Sequence, residues 1–154
     1  MLDNPQILDV PMQRTAYVRL TIPRSSIQKE MGPAIEELFT SLREQSIMPE
    51  GPVFSHHLRM DPATFDIEVG VPVAAQISEN GRVRSGYLPA SQVVRSIYSG
   101  SYEGLHEGWN QLDGWIRARG LTMAPNLWEV YVRGPESGGD PSTWQTELNR
   151  PIVA

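Results

Sequence analysis

The chain repeats itself, and this limits its fold more tightly than any other feature. Residues 38–54 line up with residues 112–128, Leu38 falling on Leu112 and Phe54 on Trp128 at one offset. Farther on, Phe65-Asp66-Ile67-Glu68 with Pro72 lines up with Trp144-Gln145-Thr146-Glu147 with Pro151 at a longer offset. The difference sits in the Gly-rich loop 134–141. Repeats of this size define an architecture. The expectation is an α+β fold of two pseudo-twofold-related strand-helix-strand-strand repeats, about 11–75 and about 82–154, within a single domain spanning 1–154. Their strands are expected in one antiparallel sheet with both helices on one face, and a ligand cleft is expected between the repeats.

Local patterns supply the elements. Residues 1–9 read as a loose lead-in. The β-branched and aromatic run 13–22 reads as a strand stopped by Pro23. Ser25 and Ser26 offer helix caps, and beyond Gly32-Pro33 the residues Ile35, Leu38, Phe39 and Leu42 mark one face of an amphipathic helix ending near Gln45. Strands are expected over 53–60 and 64–73, joined around Asp61-Pro62. Asn80-Gly81 signals a tight turn, followed by strands at 83–88 and 92–99. The second helix carries Leu105, Trp109, Leu112 and Ile116 on one stripe and closes at Gly120. The final strands centre on Trp128-Glu129-Val130-Tyr131 and on 144–152, with the loop 134–141 between them read as a mobile lid or a plain linker.

Composition narrows the chemistry. With 154 residues, 40% hydrophobic and 20% charged, the chain is long enough to bury a real core, and it has no apolar run of membrane-spanning length. The N-terminus lacks the basic start and apolar block of a secretion signal, so a cytoplasmic location is expected, without membrane association. There is no cysteine, which excludes disulfides, thiolate nucleophiles and cysteine-bound metals. A net charge of −5 argues against direct nucleic-acid binding. His56 and His57 are adjacent and point oppositely on a strand, and His106 is the only other histidine, so neither a metal nor another cofactor is expected. The loop 134–141 lacks a phosphate-cradling sequence, and no Gly-x-Ser-x-Gly elbow exists.

The residue that stands out is Glu129. On a strand, Trp128 and Val130 face one way while Glu129 and Tyr131 face the other, which places an acid beside a phenol. A carboxylate in an apolar strand is either solvated or held in a cleft, and its aromatic neighbours favour the cleft. Tyr98, Tyr102 and Trp144 are candidate walls, because flat aromatic faces stack on planar ligands and attract cations. Trp109, on the helix stripe, reads as core. Glu68 and Glu147 are repeat mates. They are candidates for acid–base work or for ion pairs with Arg19 and Arg95.

The run Tyr98-Ser-Gly-Ser-Tyr102-Glu-Gly, the helix through Trp109 and Trp115, the strand Trp128-Glu-Val-Tyr131, the Gly/Pro loop and Trp144-Gln-Thr-Glu147-Leu-Asn-Arg-Pro151-Ile resemble the GyrI-like (gyrase-inhibitor-like) small-molecule-binding domain. Phe65-Asp-Ile-Glu68-Val-Gly-Val-Pro72-Val is similar to the matching segment of its first half, and the likeness runs from Pro11 to the C-terminus. One departure is Ser101, where the family often has proline. The resemblance implies a cleft ligand and relatedness to effector-binding parts of MerR- and AraC-type multidrug regulators, in which a cleft glutamate among aromatics binds hydrophobic cations. By position, Glu129 is that glutamate.

The resulting expectation is a stand-alone protein that sequesters or senses toxic hydrophobic, aromatic or cationic drug-like molecules. Its ligand-binding residues would be drawn from Glu129, Tyr131, Tyr98, Tyr102, Trp144, Trp128, Glu147, Glu68, His57 and Phe54. Ten residues ahead of the first strand leave no room for a helix-turn-helix, so any regulatory role is expected to need a protein partner of unknown identity. A monomer is expected. Two rival readings follow from the same resemblance. One is a hydrolase of cyclopropane-bearing DNA-alkylating antibiotics, with Glu129 as base and Tyr131 as hydrogen-bond donor. The other is a protein-binding gyrase inhibitor.

Overall fold

The elements run in the order β1 (Gln6–Val10), β2 (Gln13–Pro23), α1 (Ile27–Glu44), β3 (Phe54–Met60), β4 (Thr64–Pro72), β5 (Val83–Leu88), β6 (Ser91–Ser99), α2 (Leu105–Ala118), β7 (Thr122–Met123), β8 (Leu127–Arg133) and β9 (Gln145–Val153). They come from a computed structural model that describes residues 2–135 and 139–153. The fold is mixed α+β, with two helices and antiparallel strands. Two compact units divide the chain: Pro11–Ala90, and Met1–Val10 together with Ser91–Ala154. Glu136, Ser137 and Gly138, within the loop read as a lid or linker, lie outside the described residues.

In the first unit the strand order is β3-β4-β2-β5, every pair antiparallel. Ala34, Leu38 and Leu42 of α1 bury against Val18, Leu20, Ile67, Val69 and Val71 of the sheet. The helix begins at Ile27 directly after Ser26, one of the two expected caps, and runs through Gly32-Pro33. Proline at that position removes one backbone donor. Ile27 and Met31 nevertheless extend the apolar face by two further turns and pack against the same core, which outweighs the lost bond. At the β3–β4 turn the Asp61 side chain accepts from the N–H groups of Ala63 and Thr64 at 2.8 and 3.1 Å, the Asx geometry expected of Asp-Pro.

The second unit has the order β1-β6-β9-β8, with β7 also on β9. Trp109, Leu112 and Ile116 of α2 pack on Val94, Tyr98, Leu127 and Leu148. Gly120, at φ +70°, ends the helix as its sequence position indicates.

From Leu2 onward the expected loose lead-in of residues 1–9 is ordered against the sheet. Residues Gln6 to Val10 pair with β6, Gln6 opposite Arg95 and Val10 opposite Ser91. The Asp3 carboxylate accepts from Ser96 Oγ and from the Ile97 N–H, each at 2.8 Å. Five residues are too few for a period to declare itself, and the partner that makes them a strand lies far along the chain. The corresponding strand of the other half, β5, pairs with β2 in the first unit. Each of these short strands therefore completes the sheet built on the other half's long strand.

The internal repeat is explicit in the register. β3 and β8 have equal length and the same burial sequence, three buried residues, two half-buried and two exposed. Phe54 pairs with Gly70, and Trp128 with Asn149. Each ladder then bulges at the same step, between His57 and Arg59 in one and between Tyr131 and Arg133 in the other.

Candidate functional site

Alternation along β8 sends Glu129 and Tyr131 to the face covered by α2. Glu129, opposite Leu148, is only 7% exposed. Burying a carboxylate costs several kcal/mol (roughly) unless hydrogen bonds meet it. Two donors do so here. Trp109 Nε1 on α2 donates to Oε2 at 2.6 Å, and the Tyr131 hydroxyl donates to Oε1 at 2.8 Å. Charge-assisted bonds of this kind are roughly twice as strong as neutral ones, and these two fix the carboxylate between helix and strand.

Aromatic rings continue from that pair. The Tyr102 ring meets the Tyr131 ring edge-on at 5.9 Å and lies 5.0 Å from the Trp144 ring. Tyr102 opens a short 3-10 turn, Tyr102–Gly104, that leads directly into α2. Tyr102 is partly exposed, at 38%, and Tyr131 and Trp144 are half-buried. The second unit thus presents a carboxylate held by an indole and a phenol beside three rings that reach towards solvent.

Other residues expected at the site fall elsewhere. Tyr98 is on the same face but serves as core: it is 6% exposed, rests against Gly108 of α2, and donates its hydroxyl to the Ser101 carbonyl at 2.8 Å. Ser101 has φ −69° and ψ 160°, the backbone a proline would adopt, so the departure from the family pattern leaves the turn intact. Trp128 and Glu147 lie on the face away from Glu129. There Glu147 Oε1 is 3.3 Å from Arg95 Nε and accepts from Asn149 Nδ2 at 3.1 Å. The structural reading of Glu147 with Arg95 therefore holds.

Phe54, His57 and Glu68 belong to the first unit. Glu68 does not take Arg19; its carboxylate is 3.6 Å from His56 Nδ1. Arg19 instead forks onto Asp66, with Nε and Nη2 each donating at 3.0 Å. These bonds, with Thr21 assisting, hold the Asp66 carboxyl below the usual carboxylate range. The two histidines do point oppositely, His57 sitting 3.2 Å from Ser55 Oγ on the helix-facing side.

Sequence reading missed the role of Trp109. Its stripe position marked it as core, which it is, but the indole N–H also anchors Glu129. The available signal was physical: a buried indole N–H needs an acceptor, and α2 carries it over β8. Asp113 of α2 and Arg150 of β9 are both charged groups drawn into this unit's interior, and burial pushes the Asp113 carboxyl up and the Arg150 guanidinium down. Among the described residues, no group of three or more His, Asp or Glu side chains is arranged to hold a metal, and no helix is long and apolar enough to cross a membrane.

Similar folds occur in proteins of distant sequence. The C-terminal domain of EcmrR superposes with a TM-score of 0.85 at 19% identity, covering 97% of each chain. In the complex of EcmrR with DNA the score is 0.83 at 20% identity, and the chain spans only 57% of that longer protein. A hydrolase encoded by lin2189 of Listeria innocua matches at 0.70 and 12% identity, over 97% of this chain and 91% of its own. SAV2435 bound to tetraphenylphosphonium matches at 0.65 and 10% identity, over 99% and 95%. No curated protein matches the chain in sequence. A family model does match, over residues 3–153, and the chain belongs to the family it describes, the GyrI-like small molecule binding domain.

Proposed function

We propose that the chain captures hydrophobic, aromatic or cationic drug-like molecules at the Glu129 cluster, and that capture sequesters or senses toxic compounds. Glu129 supplies negative charge, and Tyr102, Tyr131 and Trp144 supply flat walls. The observation that carries this reading is the anchoring of the buried Glu129 carboxylate by the Trp109 indole and the Tyr131 hydroxyl, which fix its position beside the rings of Tyr102 and Trp144. A cation beside a buried carboxylate gains Coulomb energy in a medium far less screening than water, and each ring beneath it adds about 0.5–2 kcal/mol. Tetraphenylphosphonium, the ligand of the similarly folded SAV2435, is a cation of this type.

The test is titration with tetraphenylphosphonium, followed by tryptophan fluorescence, since Trp109 and Trp144 both line the cluster. Saturable quenching is expected. Glu129→Gln should weaken binding at least about tenfold, the cost of about 1.4 kcal/mol of lost attraction. Unchanged affinity in that variant would remove Glu129 from the site. Incubating catalytic amounts of protein with a cyclopropane-bearing alkylator tests the hydrolase rival: product in excess of protein would replace sequestration by turnover.

A further inference from the structure

The Glu129 cluster has a counterpart in the first unit, built on the same scaffold with the opposite chemistry. β3 repeats β8 in ladder register and bulge, so Ser55 stands where Glu129 does and His57 where Tyr131 does. The repeat that aligns residues 65–68 with 144–147 places Phe65 in the position of Trp144. A 3-10 turn precedes each helix, Arg24–Ser26 and Tyr102–Gly104, which puts Arg24 in the position of Tyr102.

The contacts correspond as well as the positions. The Tyr131–Glu129 bond of 2.8 Å is matched by Ser55 Oγ and His57 Nε2 at 3.2 Å. The Tyr102–Trp144 ring pair at 5.0 Å is matched by the Arg24 guanidinium lying 4.4 Å over the Phe65 ring. His57 meets Phe65 edge-on at 5.5 Å. On the alignment that puts Leu38 on Leu112, Trp109 gives way to Ile35 of α1, so the first unit has neither the acid nor the indole that anchors it.

We propose that this cluster is a second ligand site, for planar aromatic carboxylates. Arg24 Nε donates to the Asp61 carbonyl at 2.7 Å, which fixes the guanidinium and leaves both terminal nitrogens as donors for a bidentate carboxylate. No described carboxylate forms an ion pair with Arg24; that of Asp61 is turned into its own loop, onto the Ala63 and Thr64 N–H groups. Phe65 and His57, both half-buried, provide the surface for the ligand ring, and the Ser55 hydroxyl replaces the charge that would repel it. The site stands on the first unit's residues and is independent of the reading of Glu129.

The probe is 2-naphthoate, titrated by calorimetry and by its own fluorescence. All four tryptophans, Trp109, Trp115, Trp128 and Trp144, lie in the second unit, so a parallel tetraphenylphosphonium titration read by tryptophan emission reports that unit separately. Saturable binding of one naphthoate per chain is expected, weakened at least about tenfold by Arg24→Gln and unchanged by Glu129→Gln. Arg24→Lys, which keeps the charge but not the fork, should retain an intermediate affinity. Should Arg24→Gln fail to fold, Phe65→Leu takes its place, with a several-fold loss for naphthoate and none for tetraphenylphosphonium. The proposal is overturned by lack of saturation at millimolar naphthoate, by full affinity in the folded Arg24 or Phe65 variant, or by equal loss in Glu129→Gln.

Discussion

Replacing Trp109 with phenylalanine tests the one contact on which the Glu129 cluster depends most directly. The ring stays aromatic and the helix stripe stays apolar, but the N–H that reaches Glu129 Oε2 at 2.6 Å is gone. A hydrogen bond to a charged group contributes about 1.5–3 kcal/mol, and trimming indole to phenyl in a packed core adds about 1 kcal/mol. The expected loss is therefore about 2–4 kcal/mol. At roughly 2–4 °C per kcal/mol for a domain of this size, the melting temperature should fall by roughly 4–16 °C. Packing loss alone would give part of this, so the variant is measured with and without Glu129→Gln. The packing term is common to both backgrounds, while the charge-assisted part of the bond exists only with glutamate, which predicts a coupling energy of about 1–2 kcal/mol. Thermal or urea unfolding of the four proteins gives that coupling. Additivity within about 0.5 kcal/mol would mean that Trp109 merely fills space and would refute the anchoring role.

Two further predictions concern the scaffold. Asp66, 7% exposed and bound by Arg19, has a depressed pKa, so the stability it contributes is present above the ordinary carboxylate value of about 3.9 and disappears as pH falls through its lower folded value. Asp66→Asn should lower the melting temperature at pH 7, and the gap from the parent should shrink below pH 3; a gap independent of pH would remove the ion pair as its cause. Gly108 and Gly114, both in α2, should respond to alanine with opposite signs. A Cβ at Gly108 would sit 2.9 Å from Tyr98 Cδ1, costing about 1–3 kcal/mol, whereas at Gly114 it meets nothing within 4 Å and gains up to about 1 kcal/mol of helix propensity. Equal shifts in the two melting curves would contradict the packing of Tyr98 against the helix.

Most of the fold was legible because the chain states it twice. The heptad-like spacing of Leu38, Leu42, Leu112 and Ile116 fixed the helices, and alternation in β8 correctly put Glu129 and Tyr131 on one face. What escaped was non-local. β1 is a strand only because β6 lies beside it, and no property of five isolated residues records that partner. Ser25 and Ser26 marked the start of α1, but its apolar face was legible only beyond Gly32-Pro33, a strong local stop that the core packing of Ile27 and Met31 overrides. At the candidate site, strand alternation separated Trp128 from Glu129 and brought Tyr131 to it. The bond from Trp109 needed the angle at which α2 crosses β8, which spacing along one helix does not encode.

The repeat also indicates where to look for what distinguishes the two units. Scaffold positions are kept in kind: Leu38 and Leu112, Leu42 and Ile116, Val69 and Leu148 all remain aliphatic and buried, because any other choice opens a cavity or buries an unmet polar group. The positions that change chemical character while keeping their place are Ser55 against Glu129, His57 against Tyr131, Arg24 against Tyr102 and Ile35 against Trp109. Packing does not require these differences, since each unit closes its core with its own set. In the second unit Trp109, Glu129, Tyr131 and Tyr102 are linked by contacts, in the first Ser55 meets His57 while His57 and Arg24 share the Phe65 ring, and the charged member changes from an acid to a guanidinium. A scaffold that tolerates an acid with an indole at this place, and a hydroxyl with a guanidinium at its repeat, is under pressure there from something other than folding. Ligands of opposite charge are the simplest source of that pressure. Exchanging the pair, Ser55→Glu with Ile35→Trp, should therefore carry cation binding into the first unit and raise the tetraphenylphosphonium stoichiometry from one to two; a folded variant that still binds one would show that these positions do not set the preference.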